Sequence, residues 1–201
     1  KDIDKAIDLA NQIQAKGYEA TINLMAVSHA RERELDEALI QVEKESNVDA
    51  LYLVDSFGAL YSEQVSHLAK KYKSLMPTKE IGIHAHNNQQ LAFANTIEAI
   101  IQNVNYLDGT IFGIGRAAGN CPLELLLGFL KNPKYDLRPI LGILESHFVK
   151  LKDEIEWGYT IPYMITGILD LHPRAGMKLR KSESKDDYLG FFDSLAQSDS
   201  A

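Results

Sequence analysis

The stretch Ile81-Gly82-Ile83-His84-Ala85-His86-Asn87-Asn88 decides how the rest of the chain is read. It begins as an apolar, β-rich run and ends polar, a pattern that predicts a short buried strand terminating in chemistry-bearing side chains. Alternate residues of a strand share a face, so His84 and His86 are expected to project side by side. Neutral imidazole suits first-row divalent metals, and two at this spacing can close on one cation if oxygen ligands join them from elsewhere. The same pair also fits two hydrogen-bonded histidines near a strand end, and an isolated His-x-His does not choose between the readings.

Outward from this stretch the chain alternates. Ile3, Ile7, Ala10 and Ile13 recur at helical spacing and Gly17 follows them, which predicts a helix over residues 2–16. Strands are expected over 21–27, 51–54, 81–85 and 105–113, and amphipathic helices over 31–45, 63–74 and 90–102, with another starting near Pro122. Strand starts at 21, 51, 81 and 107 repeat roughly every 30 residues, the length of a βαβ unit. Short apolar strands between amphipathic helices mean a parallel sheet covered on both faces, either an open doubly wound sheet or a (β/α)8 barrel.

The strand ends separate these two. Ser28-His29, Asp55-Ser56, His84-His86-Asn87 and Gly113-Gly115 each follow a different strand. A barrel distributes its site over several strand ends, whereas an open sheet concentrates it at one switch point. The expected fold is therefore α/β, half of a TIM barrel with about four parallel βα units, because a whole barrel needs about 250 residues. Residues 1–131 are assigned to a partial TIM-barrel catalytic domain and 132–201 to a helical C-terminal extension. In that extension, helices are expected over 137–152, 162–171 and 185–196, the first with Ile140, Leu144, Phe148 and Leu151 inward. Residues 181–187 are charged and expected to be exposed, and 197–201 are expected to fray. The first element is a helix with no strand before it and Lys1 is not Met, so the chain is expected to be cut inside a repeat.

Bulk composition excludes several classes. With 201 residues, 45% hydrophobic and 24% charged, the chain is of ordinary globular composition. A formal charge of −7 with no basic stripe argues against nucleic acid. No apolar run reaches the roughly 18 residues of a membrane span, and no signal peptide is legible, so no membrane partner is expected. The single cysteine, Cys121, excludes an intramolecular disulfide, fits the reducing cytoplasm and reads as a small buried apolar side chain.

The glycine-rich segment from Gly113 to Asn120 follows a strand and precedes a helix, but it comes after the last strand rather than the first. It therefore lacks the context of a dinucleotide fingerprint. It reads as a tight turn whose glycines permit positive φ, with Asn120 capping the next helix and also able to line a site. Asp55 and Ser56 could hydrogen-bond a small substrate, yet are ordinary turn formers. His29 is read as a surface residue, His67, His147 and His172 as structural, and the aromatic cluster from Trp157 to Tyr163 as packing.

Taken in order, Leu51–Gly58 (LYLVDSFG), Ile81–Asn88 (IGIHAHNN), Leu107-Asp108-Gly109, the Gly113–Asn120 loop (GIGRAAGN) and Pro122-Leu123-Glu124 resemble the metal-dependent pyruvate-aldolase and HMG-CoA-lyase-like TIM barrels. That superfamily includes 4-hydroxy-2-oxovalerate aldolase, HMG-CoA lyase and isopropylmalate synthase, and the likeness is to its C-terminal barrel half, most of all in aldolase-like members. The resemblance implies that His84 and His86 bind a divalent metal, with Asn120 at or near it. It makes Ser56, beside Asp55, a substrate contact and Tyr159 and Tyr163 candidate catalytic tyrosines. The family's first-strand Asp ligand and Arg have no counterpart here. The implied cofactor is Mn2+ or Mg2+, with Zn2+ or Co2+ as alternatives.

The expected function is then a carbon–carbon lyase, an aldolase cleaving or forming a 2-oxo acid such as pyruvate through an enolate. Arg116 keeps open a Claisen-type condensing enzyme of the isopropylmalate synthase kind, and the glycine loop keeps open a non-catalytic nucleotide- or anion-binding module. The expected partner is a small 2-oxo acid. A homo-oligomer is compatible with the sequence, whereas the tail is shorter than an aldolase domain that docks a dehydrogenase, which counts against that partner.

Overall fold

A computed structural model describes residues 2–198. They form two compact units: one comprises the chain up to Ser56 with Leu60–His84 and Ala94–Asp108, the other Phe57–Ala59, Ala85–Phe93 and the chain from Gly109 onward.

The first unit carries the sheet. Its elements are α1 (Ile3–Gln14), β1 (Thr21–Leu24), α2 (Glu32–Glu45), β2 (Ala50–Asp55), α3 (Ser62–Leu75), most of β3 (Glu80–Ala85), most of α4 (Ala92–Ile101) and β4 (Tyr106–Leu107). The strands lie in sequential order, with β1 parallel to β2 and β3 parallel to β4, so Leu24 sits opposite Leu53 and Ile83 opposite Leu107. β2 is almost continuously buried, as expected of a parallel strand covered on both faces. Each flanking helix turns one stripe inward: Ile7 and Ala10 from α1, Leu35, Leu39 and Val42 from α2, and Val65, Leu68, Ala69 and Tyr72 from α3. Leu39 and Val42 are fully buried, each stabilising the fold by about 1.5–3 kcal/mol.

Two strands are shorter than expected, each for a local reason. β1 stops at Leu24, because Ala26 turns left-handed (φ 53°) and gives its N–H to Ser56 Oγ at 2.8 Å, after which Val27–His29 form a 3-10 turn. β4 is only Tyr106–Leu107. Asp108 still donates its N–H to Ile83 O, but Thr110 exchanges hydrogen bonds with Cys121 O and Leu123 N instead of a strand. A 3-10 turn at Ile111–Gly113 follows, with Phe112 at φ 56°.

The second unit is helical: α5 (Leu123–Leu130), α6 (Leu137–Ile143), a π turn (Leu144–Phe148), α7 (Val149–Glu154), α8 (Ile161–Ile168), α9 (Arg174–Arg180) and α10 (Tyr188–Ser198). The single helix expected over 137–152 is interrupted at the π turn, where Ser146 Oγ donates to Gly142 O at 2.8 Å and competes with the helical ladder. Its stripe of Ile140, Leu144, Phe148 and Leu151 is only half-buried. α9, which begins directly after Pro173, was not expected. Residues 181–187 are exposed as expected, whereas most of the stretch expected to fray, 199–201, lies outside the described residues. Trp157 is buried and donates Nε1–H to Phe112 O, and Cys121 is a buried cysteine outside any disulfide, both in the structural roles expected of them. Among the described residues no helix is long and apolar enough to cross a membrane.

Candidate metal and substrate site

His84 is the penultimate residue of β3, and its Nδ1 lies 2.9 Å from Asp108 Oδ2, just past the end of β4. A carboxylate accepts only, so in this contact it is the ring that donates, from Nδ1. Burial foremost, then the charge of the same Asp108 carboxylate, pushes the hydroxyl of Tyr52, on β2, up to about 12. Gly82 makes this approach feasible, since a Cβ there would lie 2.5 Å from Tyr52 Cδ1. The tyrosine ring is braced on its other side by Tyr106, edge-on at 6.3 Å between centroids.

His86 and Asn120 belong to the second unit, where they form an isolated antiparallel bridge. The loop before Asn120 is held by its own backbone. Gly113 and Gly119 both have positive φ, Asn120 N–H donates to Gly113 O, and a Cβ on Gly119 would come within 2.1 Å of that same oxygen. Asn120 does not cap α5, which corrects the capping expectation. That helix starts only at Leu123, and the amide instead turns back into the loop, donating Nδ2–H to Ile114 O at 3.1 Å. Its Oδ1 is buried with no hydrogen-bond partner among the described residues. Asn87 ties the histidine stretch to this loop by donating its N–H to Gly119 O, and its Oδ1 accepts from Ala92 N–H at the start of α4. Asn88 is fully buried and donates to Tyr163 O, fixing the start of α8.

The remaining sequence-derived candidates are engaged to different degrees. Asp55 and Ser56 are buried, with Asp55 Oδ2 accepting from Leu60 N–H and Ser56 Oγ from Ala26 N–H. Tyr163 is buried beside Ala117 and Ala118 of the glycine-rich loop, and burial raises its hydroxyl pKa despite Arg180 over the ring. Tyr159 is exposed. His172, which reads from sequence as structural, packs on Phe57 and lies 3.3 Å from Arg116 Nη1. Burial and the two neighbouring arginines, Arg116 and Arg174, lower its pKa. Three partners were not singled out from sequence: Tyr52, Asp108 in its role on His84, and Asn88. A glycine inside a strand pattern, Gly82, was the available sign of a close approach.

The donor types suit a divalent cation: a histidine with one ring nitrogen held by a carboxylate is the usual arrangement of ligand histidines, and an orphaned buried amide oxygen can accept a cation as well as a hydrogen-bond donor. Among the described residues no three His, Cys, Asp or Glu side chains group to hold a metal by themselves.

Sequential parallel βα units, with polar side chains at the strand ends and the loops after them, define an α/β protein of the TIM-barrel type. The chain belongs to the HMGL-like family, whose model matches residues 1–144. It is 34% identical over 133 residues to the 4-hydroxy-2-oxovalerate aldolase of Thermus thermophilus, covering 64% of this chain and 38% of that protein. It is 32% identical over 130 residues to the oxaloacetate decarboxylase of Mycobacterium tuberculosis, covering 65% and 38%. Among solved structures, the N-terminal domain of a putative aldolase from Bacteroides vulgatus superposes with a TM-score of 0.78 at 32% identity, covering 90% of this chain and 61% of that one. The chain thus spans well under half the length of the curated relatives it matches. The family and the fold expected from the motif order are those found.

Proposed function

We propose that the protein is a divalent-metal-dependent carbon–carbon lyase, an aldolase acting on a small 2-oxo acid. The observation that carries this reading is the His84–Asp108 pair at the strand end, set in a chain of the HMGL-like family whose similar relatives are named as an aldolase and a decarboxylase. His84 and His86 would hold the cation, with the Asn120 amide oxygen as a further donor and an acidic ligand still needed to complete the set. Mn2+ or Mg2+ suits such mixed nitrogen and oxygen ligation with substrate oxygens, although Zn2+ and Co2+ bind the imidazoles more tightly. When bound, the cation supplies Lewis acidity toward the keto and carboxylate oxygens of the substrate, where negative charge develops as the carbon–carbon bond breaks.

The chain's own residues supply the rest. Ser56 accepts from Ala26 N–H, which leaves its hydroxyl proton to donate to a substrate oxygen, and Asp55 holds the turn that presents it. Tyr163, like any tyrosine, is protonated at neutral pH and burial raises its pKa further, so it is suited to give a hydrogen bond to a substrate oxygen rather than to remove a proton. Tyr159 is the solvent-exposed alternative for that role. Replacing His84 or His86 with alanine in the full-length protein is expected to abolish metal-dependent pyruvate release from a 2-oxo acid, followed by a coupled assay. Activity unchanged in both variants overturns the assignment.

A further inference from the structure

The hydroxyl of Tyr52 on β2 feels the carboxylate of Asp108, one residue past β4, and that carboxylate lies 2.9 Å from Nδ1 of His84 on β3. We propose that Tyr52 and Asp108 are positioning residues that lock His84 as its Nδ1–H tautomer and thereby make Nε2 its ligating nitrogen. The proposal rests on the metal-dependent reading above for its functional consequence, but its physical content concerns the apo protein alone.

Four observations carry it. Asp108 Oδ2 is within 2.9 Å of Nδ1 while the carboxylate side chain is 41% exposed, so without a second anchor it would sample several rotamers. Tyr52 is placed to be that anchor: its ring lies against Gly82, two residues before His84, and a tyrosine hydroxyl can donate to the carboxylate whose charge it feels. The tyrosine is held in turn, edge-on against Tyr106 and close against Gly82, where any Cβ would collide with the ring at 2.5–2.7 Å. Finally, Asp108 keeps its backbone in register by donating its N–H to Ile83 O at 3.1 Å, one residue before the histidine it orients. A glycine in the middle of a buried strand costs about 0.5–1 kcal/mol relative to alanine, and here it makes room for the ring that anchors the carboxylate. A carboxylate held beside Nδ1 accepts only, so it favours the imidazole proton on that nitrogen.

The test reads the tautomer directly. In the full-length apo protein with 15N-labelled histidine, the His84 ring is expected to show a protonated Nδ1 and an unprotonated Nε2. Asp108→Ala should shift it toward the Nε2–H form that histidine prefers in water, and should weaken binding of Mn2+ alone, by calorimetry, about 10- to 100-fold. Asp108→Asn keeps an acceptor and the shape, so it should retain the tautomer with a smaller loss of affinity. Tyr52→Phe should broaden the His84 signals and weaken Mn2+ by a few-fold, with the fold unchanged by circular dichroism. A wild-type His84 protonated on Nε2, or an Asp108→Ala variant with wild-type tautomer and wild-type Mn2+ affinity, overturns the proposal. Wild-type protein that binds no divalent metal, or that binds it equally well after His84→Ala, sinks the lyase reading instead; the ring-nitrogen signature still decides the role of Asp108.

Discussion

The two candidate ligand regions are built by opposite means. In the first unit, His84 is oriented by side chains: a tyrosine, a carboxylate and an absent Cβ at position 82. In the second, Asn120 is placed by backbone: two glycines at positive φ, a main-chain bond to Gly113 and a bridge to His86. Side-chain bracing can be removed in graded steps, since each partner can be deleted while the strand beneath survives. Backbone placement fails as a whole, because the same peptide groups that position the amide also close the loop.

The sharpest way to break this contrast is Gly119→Ala. The added Cβ would sit 2.1 Å from Gly113 O on a residue at φ 79°, so both the loop closure and the backbone conformation are penalised. A destabilisation of about 2–4 kcal/mol is expected in denaturant titration, with the Asn120 environment lost at the same time. Gly82→Ala comes next. The ring of Tyr52 must move, at a cost of about 1–3 kcal/mol, but the sheet should persist. Adding Tyr52→Ala should then restore part of the loss, and a double-mutant cycle that shows full additivity would mean the two positions do not meet.

The smallest expected effect lies at high pH. The Tyr52 hydroxyl is raised from the usual 10 to about 12 by burial first and Asp108 second. A raised folded value means that its stabilising contribution is complete below about pH 10 and fades as pH climbs through about 12. Tyr72 acts in the same direction, as it is completely buried and its hydroxyl lacks a hydrogen-bond partner among the described residues. Tyr72→Phe should therefore move the alkaline unfolding midpoint upward, and by removing an unpaired buried hydroxyl should cost nothing near neutral pH. An alkaline midpoint unchanged in both Tyr52→Phe and Tyr72→Phe would mean that other groups govern it.

How much of this was legible follows from what each feature depends on. The βα succession and His-x-His are local patterns: apolar runs of period two, helical stripes, and two like residues two positions apart. They could be read directly. The fourth strand was read as nine residues, 105–113, and proved to be two, because Gly109 and the positive φ values at Phe112 and Gly113 divert Thr110 into hydrogen bonds with the loop rather than with a strand. The helix at 137–152 was expected unbroken because a serine that bonds back to the preceding turn leaves no mark on an apolar periodicity. Asp108 and His84 are 24 residues apart and Tyr52 lies on yet another strand, so their meeting depends on parallel register, which no local pattern encodes. Asn120 was expected to cap a helix because it stands just before Pro122; the chain needed two further residues to begin that helix, and the amide went to the loop instead.

The bare backbone at position 82 has a further consequence for divergence. Wherever a relative acquires even a methyl group at that place, the aromatic ring on the preceding strand has to shrink or leave, so the two sites are free to drift only as a pair. Sequence change there would proceed by coupled exchange, with the intermediate carrying only one of the two substitutions the one least able to persist.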